Sequence, residues 1–341
     1  MPPNTAQLSQ TDQAESTYDS WRTKLINDTT YVDIEVDSAT LFDGAWEVVK
    51  AVFTSWDKEK LKFVQCKDGI TNQLVRVTDT VSKQSVLVRA YGKGSERIID
   101  RKQEIVNIIT LSRQGLAAPL YARFRNGLIY GFIEGRVSHV DDLRHPRTAK
   151  WIATRLAQLH QVKLPIQPTD STTRHQRTPL SNQDQQLWKT MRGWLDQVPE
   201  QYTDPRTQAI FKNRFNLNHI KAELDQLIER LEKLESPIVF SHNDLLYGNI
   251  ILNDTKEEAY FIDYEYGCYA FRGFDIGNHF NEHCGFEFDY SKYPSKSFQF
   301  EWLRWYLQAG SNGGKITKKK EQREHVPDFL FFFLGGRECI V

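Results

Sequence analysis

The sequence predicts an α+β protein with two lobes, a β-rich N-terminal lobe followed by a mainly helical C-terminal lobe. The chain has 341 residues, more than the roughly 100 to 200 residues of one ordinary domain. Its first half contains short apolar runs rich in β-branched and aromatic residues. Its second half contains longer segments whose apolar residues recur three and four positions apart, the spacing of one helix face.

Four segments follow from these patterns. Residues 1–30 are rich in Gln, Ser, Thr and Asp and lack apolar periodicity, which predicts a disordered N-terminal tail. Residues 31–135 form the predicted N-terminal lobe and residues 136–309 the C-terminal lobe. Residues 310–341 combine a Gly- and Lys-rich stretch with an apolar run that has no helical period. We therefore treat them as an atypical C-terminal tail.

The N-terminal lobe is predicted to be a small sheet with one helix packed on it. The strand-like runs lie at 61–64, 74–77, 86–91 and 120–132. The last run is divided by Asn126-Gly127, a dipeptide typical of hairpin turns. Between the third and fourth runs, residues 96–113 carry a broad apolar stripe that predicts a helix.

The C-terminal lobe begins with helical patterns and continues with short strands. Helices are predicted at 148–161 and 219–235, the second ending before Ser236-Pro237 because the residue before proline disfavours helical backbone. Strands are predicted at 238–240, 250–252 and 260–262, with polar loops between them. Loops held by a rigid scaffold often carry function, so these loops are the first place to look for a site.

Composition limits the partners and the location that we expect. Lys plus Arg and Asp plus Glu both number 44, so no global field attracts nucleic acid. The four cysteines form no CxxC pair, which favours reduced thiols. We find neither a secretory signal nor an apolar run of about 20 residues that would span a bilayer. We expect a cytoplasmic protein without a membrane span, and the sequence leaves a homodimer open.

The polar residues of two neighbouring loops suggest phosphoryl transfer. Asp244 and Asn249 lie in one loop, and Asp263 follows the next strand. Phosphoryl transfer needs a carboxylate that orients the attacking hydroxyl and oxygen ligands that hold Mg²⁺ against the nucleotide phosphates. Each residue alone is more often a helix cap or a turn residue, but the combination favours a catalytic site.

At this point the chain resembles the choline and ethanolamine kinase family, a branch of the protein-kinase-like phosphotransferases, over roughly residues 62–305. The resemblance rests on five motifs, DGITNQL (68–74), VLVRAYGKGSE (86–96), HNDLLYGNII (242–251), FIDYEY (261–266) and FDIGNHFNE (274–282). It implies a two-lobed protein-kinase-like phosphotransferase fold, with residues 136–309 as the catalytic lobe.

The resemblance implies a role for five residues around the reacting groups. Asp244 is the expected catalytic residue, and Asn249 and Asp263 are the expected Mg²⁺ ligands. Arg89 and Glu104 are expected to form an ion pair that presents the guanidinium to the phosphates of ATP. Without the resemblance, Arg89 and Glu104 would also suit a surface salt bridge of little energetic weight.

The same resemblance assigns the remaining binding residues. Gly69, Thr71 and Asn72 are expected to form a turn over the phosphates, where backbone N–H groups meet anionic oxygen. Glu265 and Glu282 are expected to face the substrate ammonium. Asp275, in the DIGNHF stretch, is expected to brace the catalytic loop rather than touch substrate. The implied cofactors are ATP and Mg²⁺, and the implied partner is a small amino alcohol.

The expected reaction is ATP-dependent phosphorylation of ethanolamine to phosphoethanolamine, the first step of phosphatidylethanolamine synthesis in the pathway of the family. The residues of 127–135, 242–249 and 262–269 look more like ethanolamine kinases than choline kinases. Choline kinase is the runner-up. A third reading is a truncated, non-catalytic kinase-like binding protein, favoured by the unusual residues 310–341 and opposed by the intact motifs at 242–249 and 261–266.

Overall fold

A computed structural model describes residues 10–66, 73–92, 94–164, 180 and 182–311 of the chain. The predicted tail 310–341 lies outside these residues except for Gly310 and Ser311. In the described part of the chain, no helix has both the length and the apolar character that a membrane span requires.

A six-stranded sheet forms the N-terminal lobe. Its strands are β1 (Tyr31–Val32), β2 (Leu61–Cys66), β3 (Gln73–Asp79), β4 (Ser85–Ala90), β5 (Leu120–Phe124) and β6 (Gly127–Gly131), in the spatial order β1-β5-β6-β4-β3-β2. All neighbours are antiparallel except β1 and β5. The predicted strands are confirmed, and the sheet carries Arg89 on its β4 strand.

The hairpin near Asn126 is present, but its turn is shifted by one residue. Phe124 pairs with Gly127, so the two loop residues are Arg125 and Asn126. The Asn126 side chain instead holds the segment before α2, accepting from Val36 N and donating to Val36 O, both at 2.9 Å. This tertiary contact gives the Asn126 side chain a role outside the turn.

Three helices accompany the sheet, α1 (Gln10–Asn27), α2 (Leu41–Val52) and α3 (Arg101–Arg113). Helix α2 packs Ala45, Val48 and Val49 with the buried valines of β3 and β4. Helix α3 begins later than predicted because Asp100 caps it, accepting from the backbone N–H groups of Lys102 and Gln103. The residues before Asp100 form a separate short turn, Ser95–Arg97.

The prediction of a disordered tail over residues 1–30 is wrong for Gln10–Asn27, which form α1. Leu25 and Ile26 are buried with apolar residues of α3. Arg22 Nη1 lies 3.1 Å from Asp100 Oδ2. Tyr18, Trp21 and Leu25 follow the three- and four-residue spacing of one helix face. The prediction missed this short pattern because most of the surrounding residues are polar.

The C-terminal lobe contains six helices and two small sheets in its described residues. The helices are α4 (Pro146–Leu159), α5 (Leu187–Asp196), α6 (Pro205–Arg214), α7 (Leu217–Glu232), α8 (Arg272–Asn281) and α9 (Lys296–Gly310). The strands are β7 (Arg136–Val137), β8 (Ile238–Ser241), β9 (Ile250–Asn253), β10 (Glu258–Phe261) and β11 (Cys268–Phe271). One sheet has the order β10-β9-β7 and the other pairs β11 with β8.

The core of this lobe lies where α4 and α9 pack on each other and on the small sheets. Ile152 and Leu156 of α4 and Trp302 of α9 are fully buried in one apolar cluster with Phe240 and Phe261. The predicted helices and strands of this lobe are confirmed within a few residues. The loops after β8 and β10 leave this rigid core together and carry the polar residues of the site.

Gly127 is required for the close approach of β6 to β4. A Cβ atom at this position would lie 2.0 Å from Arg89 O and 2.3 Å from Phe124 Cζ. We expect Gly127→Ala to lower the free energy of unfolding by about 1–3 kcal/mol or more, because backbone has to move. Urea denaturation measures this change.

Gly193 provides the matched control for this prediction. It lies inside α5, where a Cβ would meet no other heavy atom within 4 Å. Gly193→Ala should therefore be neutral or stabilise the protein by about 0.5–1 kcal/mol. Equal stability of the two alanine variants would contradict the packing described for Gly127.

Candidate active site

The buried carboxylate of Asp275 fixes the start of the loop that follows β8. Asp275 lies in the first turn of α8 and is fully buried. Its Oδ2 accepts from His242 N at 2.7 Å and its Oδ1 accepts from Asn243 N at 2.9 Å. His160 Nε2 of the α4 end lies 3.0 Å from Oδ2. The contacts are those expected of a residue that braces the loop.

Burial alone would raise the pKa of Asp275, since it disfavours the charged carboxylate. The hydrogen bond from His160 and the neighbouring His242 outweigh this effect and lower the pKa of Asp275. The brace is therefore a carboxylate, which can accept all three hydrogen bonds at once.

The loop turns at Asn243 so that the next side chain leaves the core. Asn243 has a φ of 64°, a left-handed conformation that asparagine tolerates better than most residues. Its Nδ2 donates to Tyr266 O at 3.0 Å, which ties this loop to the turn after β10. Asp244 therefore projects from a backbone that is held on both sides.

Asn249 is hydrogen-bonded to Asp244 in a way that leaves one amide atom for a ligand. Asn249 Nδ2 donates to Asp244 O at 2.8 Å and to Asp244 Oδ2 at 3.0 Å. The amide oxygen Oδ1 is on the other side of the planar group. Oxygen is the ligand atom that Mg²⁺ takes, so the orientation of Asn249 fits the expected metal role.

The surroundings of Asp244 hold its pKa close to neutrality. Burial, followed by the charges of Asp263 and Glu282, raises the pKa of Asp244 to about 7, although the hydrogen bond from Asn249 opposes the change. A carboxyl group with this pKa can accept a proton at neutral pH far better than an ordinary aspartate.

Asp263 occupies a second left-handed position, with a φ of 63°, directly before the short helical turn Tyr264–Tyr266. This turn is held from the N-terminal lobe by Asn107 of α3, whose Nδ2 donates to Gly267 O at 2.7 Å. The His242 ring also reaches it, with Nε2 lying 2.9 Å from Ile262 O. Both lobes thus position the Asp263 carboxylate.

The predicted ion pair between Arg89 and Glu104 is present, with Arg89 Nη1 3.0 Å from Glu104 Oε1. The side chains are 6% and 0% exposed, so the reading as a surface salt bridge is wrong. Arg89 Nη1 also lies 3.0 Å from Asp263 Oδ1. Burial would lower the pKa of Arg89, but the charges of Asp263 and Glu104 raise it well above its ordinary value, so Arg89 is a permanent cation.

Glu265 forms ion pairs that the sequence did not predict. Its Oε2 lies 2.5 Å from Arg89 Nη2 and 3.1 Å from Arg101 Nη1. The side chain is 7% exposed and both of its contacts are cations. The structure therefore places Glu265 in an ion-pair network, which the sequence missed because the pairing depends on two residues from the other lobe. The expected contact between Glu265 and a substrate ammonium stays a prediction.

Glu282, the other predicted substrate residue, is half-buried in the turn after α8. Burial raises its pKa, and its charge is among those that raise the pKa of Asp244. Glu282 thus contributes to the negative field at Asp244. The predicted phosphate turn of Gly69, Thr71 and Asn72 lies outside the described residues.

Two cavities open on different sides of the loop 242–249. The first, of about 220 Å³, lies between the lobes, with mostly apolar walls and with Arg89, Asn249 and Asp263 among its lining residues. The second, of about 700 Å³, is lined by Asp244 together with Trp194 and other residues. The arrangement can hold an apolar group with phosphates in one cavity and a hydroxyl compound in the other.

Sequence reasoning missed Arg101, Asn107 and Trp194. Arg101 lies three residues before Glu104 on α3, a spacing that brings side chains together on a helix and could have identified it. Asn107 follows one turn later. No local signal marks Trp194, whose Nε1 donates to Ile98 O across the lobes at 3.3 Å.

Comparison with known sequences identifies one family. The family model described as Choline/ethanolamine kinase matches residues 63–335, so the similarity continues beyond residue 305 into the predicted tail. A probable ethanolamine kinase of Arabidopsis thaliana is 37% identical over 81% of this chain and 72% of its own length. Human ethanolamine kinase 2 is 35% identical over 87% of this chain and 72% of its own length. A Drosophila melanogaster ethanolamine kinase is 41% identical over 67% of this chain and 42% of its own length.

Comparison with solved structures gives the same fold. An ethanolamine kinase of Plasmodium vivax superposes with a TM-score of 0.74 and 24% identity, covering 97% of this chain and 86% of its own. A choline kinase of Cryptosporidium parvum superposes with a TM-score of 0.64 and 23% identity, covering 86% of this chain and 85% of its own. The predicted two-lobed phosphotransferase fold is confirmed.

The raised pKa of Asp244 predicts a pH-dependent effect on stability. When the pKa of a carboxyl group is higher in the folded than in the unfolded protein, the free energy of unfolding falls as the pH rises from the unfolded-state pKa to the folded-state pKa. Asp244→Asn removes this loss. We expect the variant to gain about 1–3 kcal/mol more in unfolding free energy at pH 8 than at pH 5, relative to the unsubstituted chain. Urea denaturation at both pH values measures it, and a gain that does not depend on pH would contradict the assignment.

Proposed function

Because the chain belongs to the choline/ethanolamine kinase family, we propose that it transfers the γ-phosphoryl group of ATP to the hydroxyl of ethanolamine and forms phosphoethanolamine. The observation that carries this proposal is the position of Asp244, which lines one cavity together with Trp194 and accepts a hydrogen bond from Asn249, a residue that lines the other cavity together with Asp263. The product feeds phosphatidylethanolamine synthesis in the pathway of the family.

ATP occupies the cavity between the lobes in this proposal. Its adenine meets the apolar wall that includes Leu74, Ile108 and Phe261. Its phosphates meet Arg89, a buried cation that three carboxylates hold in place. Catalysis of phosphoryl transfer is mostly positioning and electrostatic stabilisation, and a fixed guanidinium serves both purposes.

Asn249 and Asp263 are the proposed Mg²⁺ ligands. Asn249 turns its amide nitrogen toward Asp244, and the Asp263 carboxylate, 29% exposed, lines the same cavity. When bound, Mg²⁺ would neutralise charge on the nucleotide phosphates. Asp263 and Asn249 would hold it there through a carboxylate and an amide oxygen, the hard ligands that it prefers.

Asp244 is the proposed catalytic base. Its carboxylate orients the ethanolamine hydroxyl and accepts its proton as the new P–O bond forms and the bond between the γ-phosphorus and the leaving ADP breaks. Without metal, burial and the charges of Asp263 and Glu282 raise the pKa of Asp244 to about 7. Mg²⁺ held by Asp263 would offset the Asp263 charge and favour the carboxylate form of Asp244, the form that accepts a proton. Glu282 is the proposed partner of the substrate ammonium, since it is a half-buried carboxylate whose charge reaches Asp244.

The proposal predicts a defined acceptor preference. Reactions with ATP and ethanolamine, with ATP and choline, and with ATP alone can be followed by ³¹P NMR, which separates the phosphorylated product from free phosphate. We expect a higher kcat/KM for ethanolamine than for choline, since a primary ammonium can donate hydrogen bonds to a carboxylate and a quaternary ammonium cannot. Release of phosphate without phosphoethanolamine, or a preference for choline, would contradict it.

The same assay tests the catalytic role of Asp244. Asp244→Asn should lower turnover about 10²- to 10⁴-fold, the usual contribution of a positioned general base. Asp254→Asn is the matched control, because Asp254 lies on the surface after β9 and pairs with Arg136. The control should keep its turnover, whereas comparable losses in both variants would remove the special role of Asp244.

The metal assignment predicts a different failure for Asp263→Ala. The variant loses a charged ligand, so we expect the Mg²⁺ concentration for half-maximal rate to increase and added Mg²⁺ to restore part of the activity. Asp244→Asn should not respond to added Mg²⁺ in this way. An unchanged Mg²⁺ dependence in Asp263→Ala, measured by titration of initial rates, would exclude Asp263 as a ligand.

A further inference from the structure

Four charged side chains form a closed ring behind the proposed phosphate site. Arg89 contacts Glu104 Oε1 at 3.0 Å and Glu265 Oε2 at 2.5 Å. Arg101 Nη1 contacts the other oxygen of Glu104, Oε2, at 2.9 Å and the same Oε2 of Glu265 at 3.1 Å. Each acid therefore touches both bases. Asp263 joins this ring only through Arg89.

The ring crosses the two lobes. Arg89 lies on β4 and both Arg101 and Glu104 lie on α3, whereas Glu265 belongs to the turn after β10. The four side chains are at most 14% exposed, so solvent screens their interactions only weakly. Arg101 is held further by Ser95 Oγ, 2.7 Å from its Nη2, and by the ring of Tyr91, 4.1 Å from its guanidinium carbon.

The ring of Arg89, Arg101, Glu104 and Glu265 is neutral only because it includes Arg101. Glu104, Asp263 and Glu265 offer oxygen atoms that all lie within 4.8 Å of one another, an arrangement that could hold a cation. Arg89 and Arg101 neutralise Glu104 and Glu265 within the ring. The remaining negative charge is that of Asp263, which is also the most exposed of the three acids, at 29%.

We propose that Arg101 is a positioning residue that shares Glu104 and Glu265 with Arg89, so that Asp263 alone is left to attract a cation and the negative charge that opposes an anionic ligand at Arg89 is reduced. The inference rests on the proposed function, because it takes Asp263 as the metal ligand and Arg89 as the phosphate contact. Without Arg101, one guanidinium would serve three carboxylates. The site would then gain attraction for cations and lose attraction for nucleotide phosphates.

Charge-balanced variants test this division. The single variants Arg101→Met and Glu265→Gln change the net charge of the group in opposite directions, and the double variant restores it. Mn²⁺ binding without nucleotide can be measured by electron paramagnetic resonance, and ADP binding without metal by titration calorimetry. Lys102→Met is the control, because it removes a positive charge from an exposed position next to Arg101 on the same helix.

Metal and nucleotide affinities should move in opposite directions. We expect Arg101→Met to bind Mn²⁺ more tightly and ADP more weakly, each by about 3- to 30-fold, the effect of one unit charge several ångströms away at intermediate dielectric. Glu265→Gln should show the reverse changes. The double variant and Lys102→Met should lie close to the unsubstituted protein in both measurements.

The contradicting results are equally specific. If Arg101 only held α3 in place, Arg101→Met would weaken both ligands and the double variant would be no better. Arg101→Lys keeps the charge and should stay near the starting affinities, so it covers the case in which Arg101→Met does not fold. Neither binding measurement requires phosphoryl transfer. Opposite shifts without ethanolamine phosphorylation would reject the proposed reaction alone, whereas phosphorylation without opposite shifts would reject the role of Arg101.

Discussion

The site depends first on one buried carboxylate, that of Asp275. It accepts hydrogen bonds from the backbone N–H groups of His242 and Asn243. Because both donors belong to the main chain, these bonds fix the path of the loop itself. The same helix, α8, holds Leu245, the residue after Asp244, through Asn278 Oδ1, which accepts from Leu245 N at 3.2 Å. Asp244 is thus suspended between anchored neighbours. Loss of the Asp275 carboxylate would leave buried donors unpaired, at a cost of about 1–3 kcal/mol each.

The second constraint joins the lobes. Glu104 of helix α3 pairs with Arg89. Asn107 of the same helix donates to Gly267 O, so a residue of the N-terminal lobe helps to position the turn that follows the proposed metal ligand Asp263. The charges of Asp263 and Glu282 then act back on Asp244 and raise its pKa. The proposed metal ligand Asp263 is therefore coupled to the proposed base through its charge and to the proposed phosphate contact Arg89 through an ion pair.

Much of the architecture follows from local sequence, and the exceptions have physical causes. The valine-rich strands and the periodic helices can be predicted from the sequence because burial and local pattern agree. Helix α1 was not predicted, since few of its residues are apolar. Local pattern also could not place Glu265, whose partners Arg89 and Arg101 precede it by more than 160 residues. Asp244, Asn249 and Asp263 could be singled out because they lie in two polar segments that follow short strands and are close in sequence, whereas the pKa of Asp244 depends on charges that only the folded chain assembles.

The most direct test of the account is a crystal structure of the protein with Mg²⁺, a non-hydrolysable ATP analogue and ethanolamine. The account predicts Mg²⁺ bound through Asn249 Oδ1 and the Asp263 carboxylate, with the ethanolamine hydroxyl within hydrogen-bond distance of the Asp244 carboxylate. Glu104 and Glu265 should remain paired with Arg89 and Arg101. A metal ion held by Glu104 and Glu265, or an ethanolamine hydroxyl remote from Asp244, would contradict it.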